Sequence, residues 1–283
     1  MPSGQAREAR YKASMTQTIN IAIAGCAGRM GRQLVQAGLN AGQKISGGSE
    51  APGSPALGQD IGRLADLDPI GVEAVGALPS AARGADVWID FTIPEATLQA
   101  LQALPGLGVR AVVIGTTGFS ADQEAQIASA AQHLAIVKAG NFSLGVNLLE
   151  ALVQQAARRL SADWDIEILE THHRHKIDAP SGTALMLGEA AAMGREQPLS
   201  RLQAPPYNGP DAAREPGQIG FSVRRAGGVI GDHEVTFGAE KELLSLRHTA
   251  LDRSVFADGA IAAARWAVQQ SPGLYGMSDV LGL

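Results

Sequence analysis

Two hydrophobic periods alternate along this chain, and the switches between them mark its elements. Short strand-like runs recur at 18–24 (TINIAIA), 44–49 (KISGGS), 86–91 (DVWIDF), 110–114 (RAVVI) and 134–138 (LAIVK). Between them lie stretches with apolar residues at helical spacing, 32–39 and 120–133. Ser120 caps the second, with Asp122 and Glu124 in its first turn, and Pro94 opens another helix. Strands alternating with helices predict a Rossmann-like, doubly wound parallel sheet whose ligand sits beyond the carboxyl ends of its strands.

The second half reads differently. A long helix is predicted over 144–160, then a half-buried strand over 165–170 (DIEILE), then a helix over 183–195. Residues 196–218 hold five prolines and read as a surface loop. Strands at 219–225 and 231–238, joined by Ala226-Gly-Gly228, and a third at 243–249 follow without intervening helices. They predict an open, mostly antiparallel sheet in an α+β second domain. A one-sided apolar helix over 255–269 returns to the first domain. The expected division is 15–142, completed by 253–283, for dinucleotide binding, and 143–252 for substrate binding and oligomerisation.

Two stretches hold candidate chemistry. The first strand runs into Gly25-Cys26-Ala27-Gly28-Arg29-Met30-Gly31 and then a helix, the context of a pyrophosphate-binding turn. Gly25 permits the turn, Gly28 lets backbone approach a phosphate, and Gly31 lets the helix pack closely on the sheet. Glu50, 25 residues past Gly25, ends the second strand where a ribose 2′-hydroxyl is held. Other strands end in Thr92, Gly115-Thr116-Thr117 and Ala139-Gly140-Asn141-Phe142, small or backbone-exposing residues suited to the same ligand.

The other stretch is 167–187. His172, His173 and His175, half of the six histidines, are interleaved with Arg174 and Lys176, and Asp178-Ala-Pro-Ser-Gly-Thr183 leads into a helix. A helix N-terminus favours carboxylate or phosphate, and the loop before it offers groups that pair with an anion or deliver a proton. A small polycarboxylate that accepts a proton suits both halves. A solvated basic loop is the plainer alternative. A metal site is disfavoured by the absence of HExxH and of a second cysteine, and because adjacent histidines on an extended chain point apart.

Composition narrows the classes. In 283 residues, 45% hydrophobic and 18% charged, there is enough apolar material for a sizeable core. A net charge of −5, with no basic block beyond the histidine loop, argues against nucleic acid. The single cysteine, Cys26, excludes an internal disulfide and fits a reducing cytoplasm. No apolar run reaches the roughly eighteen residues of a membrane helix. Residues 1–14 lack the apolar segment of a secretory signal and are read as a mobile extension, with Met15 an alternative start.

The GxxGRMG turn, the GTTG and AGNFS turns, ETHHRHKIDAPSGTA and the later RAGGVIGDH together resemble 4-hydroxy-tetrahydrodipicolinate reductase, also called dihydrodipicolinate reductase. The likeness spans about Ile19 to the C-terminus. It implies reduction of a cyclic hydroxy-dicarboxylate to tetrahydrodipicolinate with NADH or NADPH and loss of water, in lysine and diaminopimelate synthesis. It also implies His172 and Lys176 as proton donors, His173 as a substrate contact, and Gly182 and Thr183 as the pair holding a substrate carboxylate. Gly25–Met30, Glu50, Gly115–Thr117 and Ala139–Phe142 match its cofactor segments, no metal is used, and the assembly is a homotetramer built through the second domain's sheet. Many members place an arginine after the ribose-binding acid, and some carry a basic residue in the third-strand turn. Here those positions are Ala51 and Ile93, which favours NADH, although Arg29 and Arg32 remain near. Two other classes stay open: a dehydrogenase of another small dicarboxylate or one with a cysteine nucleophile, and a non-catalytic NAD(H) sensor.

Overall fold

A computed structural model describes residues 18–210 and 212–283. The expectation made for residues 1–14 falls outside them. The chain separates into two compact units, one running to Phe142 and resumed at Ser254–Gly282, the other Ser143–Arg253.

The first unit alternates strand and helix: β1 Asn20–Ala24, α1 Arg29–Asn40, β2 Lys44–Ser49, β3 Ala74–Val75, β4 Val87–Asp90, α2 Pro94–Ala103, β5 Ala111–Ile114, α3 Ala121–Ala130 and β6 Ala135–Lys138. The second holds α4 Leu144–Arg159, β7 Asp165–His172, α5 Gly182–Gly194, β8 Ile219–Arg225, β9 Gly231–Gly238 and β10 Leu243–Ala250. The chain then returns to the first unit with α6 Ser254–Ala267 and β11 Gly273–Tyr275. Among the described residues, no helix is long and apolar enough to cross a membrane.

Seven strands of the first unit form one sheet in the order β11-β6-β5-β4-β1-β2-β3, every neighbouring pair parallel. Its central strands are buried throughout, as strands covered on both faces must be. One face packs Trp88, Val112, Ile114 and Ile136 against Leu98 and Leu101 of α2 and Ile127 of α3. On the other, α6 lies against α1 and β5. Ser120 accepts a hydrogen bond from the Gln123 N–H, and Gln123 reaches back to the Ser120 N–H, so α3 begins where its sequence signal places it. The strands β3 and β11, two and three residues long, are too short to show a period in sequence.

The sheet of the second unit is mostly antiparallel, as expected. The strands β8 and β9, although joined directly by the Gly-Gly connection, are separated by β7 in the order β10-β9-β7-β8. The pairing β7–β8 is parallel, whereas β7–β9 and β9–β10 are antiparallel. The sheet is therefore mixed. The connection crosses the carboxyl end of β7, where the Ala226 N–H donates to the His172 carbonyl (2.8 Å) and the Arg174 N–H donates to the Gly227 carbonyl (3.2 Å). Gly227 sits at φ +50°, a region that disfavours a side chain. Ile166, Ile168, Val235, Phe237 and Ile219 face α4 and α5 in a separate core. The strand β7 also extends two residues past its predicted end, so His172 is a strand residue and only His173 onward is loop.

Close approach explains one glycine of the first unit. A methyl group on Gly31 would strike the Gly25 carbonyl oxygen and lie 2.7 Å from Cys26 backbone atoms, none of which can swing aside. Gly31→Ala is expected to destabilise the first unit by about 1–3 kcal/mol. Gly106→Ala, whose added methyl meets nothing within 4 Å, is expected to stay within about 0.5 kcal/mol. Calorimetric melting of the two variants against the parent checks both.

Candidate active site

At the carboxyl end of β1, Gly25 adopts φ +62° and its carbonyl accepts the Gly28 N–H (2.9 Å), closing the turn that delivers the chain into α1. Gly28 is the N-cap of α1 and makes no side-chain cap, and the first turn of α1 holds no acid. An uncapped helix start without an acid leaves backbone N–H groups and the positive dipole end to a phosphate. Glu50 braces this turn, its Oε1 accepting the Ala27 N–H at 2.7 Å. The Arg32 Nε donates to the Ala27 carbonyl (2.8 Å), while Arg29 is exposed.

The neighbouring strand ends are held by one buried carboxylate. Asp90 Oδ1 accepts the Thr92 hydroxyl (2.6 Å), the Thr92 N–H (3.0 Å) and the Thr116 hydroxyl (3.2 Å), and Thr97 and Thr116 are hydrogen-bonded at 3.0 Å. Gly115 passes so close to the Phe91 ring that no side chain fits. Phe142 is buried with its ring 5.3 Å from that of Phe91, and Cys26 is also fully buried. Those two positions offer a ligand backbone only. Burial, helped by the Glu50 charge, pushes the Cys26 thiol up to about 12, which removes it as a nucleophile near neutral pH. Gly25–Met30, Glu50 and Gly115–Thr117 thus occupy strand ends of one sheet, with Ala139–Phe142 following β6. This arrangement fits a dinucleotide.

In the second unit, strand register assembles the other cluster. Ile166, Ile168, Glu170 and His172 alternate onto the buried face of β7. Glu170 pairs across with His233 of β9, which pairs with His248 of β10, while His172 pairs with Arg225 of β8. The Glu170 carboxylate is buried and fully engaged. It receives the His172 Nδ1 at 2.5 Å, two guanidinium bonds from Arg225 (2.9 and 3.1 Å) and the Ser181 N–H (3.1 Å). Burial pushes the carboxyl up, but the Arg225 and His172 hydrogen bonds outweigh it and hold Glu170 below the usual carboxylate range.

Ser181 caps α5, its hydroxyl accepting the Ala184 N–H (3.2 Å) and meeting His233 Nε2 at 3.1 Å. Gly182 is exposed on the first turn and Thr183 half-buried, with no acid nearby in that turn. The helix begins at Gly182, one residue before the sequence boundary. A second serine repeats the theme: Ser143 caps α4 and lies 3.3 Å from His248 Nε2.

Lys176 pairs with Asp178 at 2.8 Å, and His173, half-buried, has its ring centroid 6.2 Å from that of His175. Partial burial, then Arg253 and His175, hold the His173 imidazole below its ordinary value. The structure therefore brings His172, Lys176, Gly182 and Thr183 to one end of the second unit. Sequence reading missed Glu170, Ser181 as the definite cap, Arg225 and His233. The alternation of 165–170 continued through His172 would have placed Glu170 and His172 together on the apolar face. Arg225 and His233 begin and end the RAGGVIGDH segment that carries the resemblance, but nothing local tells that they reach Glu170 and Ser181 from strands more than fifty residues away. Among the described residues, no cluster of His, Cys, Asp and Glu has metal-binding geometry.

Burial first, and then the nearby His172, lower the His233 imidazole from 6.5 to about 4. A depressed histidine is neutral in the fold and takes up a proton on unfolding. Its contribution is therefore full above about pH 6.5 and lost as pH falls toward 4. In that window the parent's unfolding free energy is expected to be steeper in pH by up to about one proton, ~1.4 kcal/mol per pH unit, than that of His233→Gln. Urea unfolding at several pH values measures the difference.

Comparison with known proteins places the chain. Residues 19–142 match the model of the dihydrodipicolinate reductase N-terminus, and 145–281 match that of its C-terminus. A 4-hydroxy-tetrahydrodipicolinate reductase of Parvibaculum lavamentivorans is 52% identical over 271 residues, covering 95% of this chain and all of the relative. One from Sinorhizobium fredii is 50% identical over 275 residues with the same coverage. A solved dipicolinate-bound dihydrodipicolinate reductase from Paenisporosarcina sp. TG-14 aligns with TM-score 0.73 and 28% identity, covering 93% of this chain and 99% of that one. An amine dehydrogenase from Mycobacterium smegmatis shares the fold at TM-score 0.63 and 15% identity. With both halves matched and half the residues shared with full-length relatives, this chain belongs to the dihydrodipicolinate reductase family.

Proposed function

We propose that this protein reduces 4-hydroxy-tetrahydrodipicolinate to tetrahydrodipicolinate with loss of water, using a reduced nicotinamide dinucleotide, in the route to diaminopimelate and lysine. The observation that supports this most is His172 held by a buried carboxylate at the same end of the second unit as the acid-free start of α5. The relatives' names, and the flat dicarboxylate bound by the Paenisporosarcina protein, agree with it.

In this reading the first turn of α5, through Gly182, Thr183 and its positive dipole end, binds one substrate carboxylate. His173 contacts the substrate from the loop. Water leaves the hydroxylated ring to give an unsaturated imine conjugated with a carboxylate, and the nicotinamide cofactor, when bound, supplies the hydride. His172 gives its proton to the conjugated system as negative charge develops there, and Lys176 stabilises that charge, leaving Asp178 when substrate takes its place. In the first unit, the Gly25–Met30 turn holds pyrophosphate, Glu50 holds ribose, and Gly115–Thr117 with Ala139–Phe142 frame the remainder. The homotetramer implied by the resemblance, formed through the β7–β10 sheet, is part of the same proposal.

His172→Gln is expected to lower kcat by about 10²–10⁴-fold, the usual worth of a placed general acid, with cofactor Kd nearly unchanged. The substrate is generated in situ by the preceding synthase and turnover followed as loss of nicotinamide absorbance. Full turnover in the variant would remove His172 from the role.

The same assay ranks the cofactors. Glu50 lies against the turn, is followed by exposed Ala51, and would repel a 2′-phosphate. We expect kcat/KM for NADH to equal or exceed that for NADPH. A tenfold NADPH preference would show that Arg29 and Arg32 prevail over the Glu50 charge.

A further inference from the structure

Arg225 and Glu170 tie together three pieces of the second unit that the chain delivers separately. Besides its two bonds to Glu170, Arg225 donates to the carbonyls of Asp178 (2.6 Å), Arg224 (2.8 Å) and Lys176 (3.4 Å). Glu170 in turn receives His172 from its own strand and the Ser181 N–H at the start of α5. The pair thus touches the imidazole, the backbone of the lysine loop and the cap of the anion-binding helix. A bidentate guanidinium–carboxylate contact fixes orientation as well as charge.

We propose that Glu170 and Arg225 are positioning residues for the reduction: Glu170 fixes the ring and tautomer of His172, and Arg225 keeps Glu170 in place and sets the Lys176 loop. The inference rests on His172 being the proton donor. An ionised carboxylate only accepts, so the contact at 2.5 Å puts a proton on Nδ1 and leaves Nε2 for the substrate. When the Nε2 proton passes to the substrate, the bonding pair stays on Nε2. The ring becomes neutral with Nδ1–H still on Glu170, which never takes the proton. The charged and titratable groups around the ring are Glu170 on β7, Arg225 on β8, His233 on β9 with its ring 5.0 Å away, and the loop's His173, His175 and Lys176. The first turn of α5 contributes no acid. Glu170 is the carboxylate hydrogen-bonded to the ring, whereas Asp178 is held by Lys176 and Asp232 by Arg247, so replacing Glu170 removes the negative charge in contact with the imidazole.

The test compares Glu170→Gln, Glu170→Asp and His172→Gln in the coupled assay across pH. For Glu170→Gln the expected result is a kcat lower by about 10²-fold or more, NADH Kd within twofold, and the alkaline limb of kcat/KM moved to lower pH. Glu170→Asp, which keeps the charge, should restore the limb toward its parental position. Should Glu170→Gln fail to fold, histidine ¹⁵N NMR of the parent, with His172 assigned by its loss in His172→Gln, decides the tautomer. Nδ1–H supports the proposal and Nε2–H alone overturns it. A Glu170→Gln enzyme within threefold of parental kcat, or slowed with its pH limb unmoved, also overturns it. The His172→Gln enzyme separates the two readings: full activity there sinks the proton-donor role, whereas loss there without loss in Glu170→Gln sinks only the positioning role.

Discussion

A carboxylate with almost no solvent contact must find charge and donors in the protein or become neutral. Glu170 meets that constraint with partners from β7, β8 and the start of α5, and no single element could provide them all. The parallel pairing of β7 with β8 brings Arg225 beside His172. If β8 and β9 formed a simple hairpin, Arg225 would be one strand further away and the charge would lack its strongest partner. The mixed topology of the small sheet and the ionisation of Glu170 are therefore linked.

From that charge the local chemistry follows outward. Ser181 is held at its N–H by Glu170 and at its hydroxyl by His233, so the helix start is fixed from two sides. The row Glu170–His233–His248 places one imidazole at each of the two serine caps, at Ser181 of α5 and Ser143 of α4. Keeping His233 neutral by burial prevents it from competing with His172 for the carboxylate's field.

The first unit solves a different problem, close approach rather than buried charge. Gly31 and Gly115 are glycines because a carbonyl and an aromatic ring occupy the space of a side chain. Asp90 organises the neighbouring strand ends through threonine hydroxyls, much as Glu170 organises the second site, and Glu50 closes the glycine turn by accepting the Ala27 N–H. In both units an acid at or near a strand's carboxyl end converts loose polar chain into a fixed surface.

Local pattern was enough for much of this. The alternation of β-branched runs with amphipathic stretches determined the parallel sheet, the Gly25–Gly31 turn determined where β1 passes into α1, and Ser120 and Pro94 determined where helices start. The segment from His172 to Thr183 was legible as one cluster because its residues are contiguous. What sequence could not supply was register across distant strands. Whether Arg225 faces Glu170, whether His233 reaches Ser181, and whether β8 neighbours β7 or β9 depend on pairings between residues 53 to 73 positions apart. A shift of one residue would turn each side chain to the opposite face. Burying Glu170 and His172 among apolar neighbours selects one register, and that choice exists only once the sheet has formed.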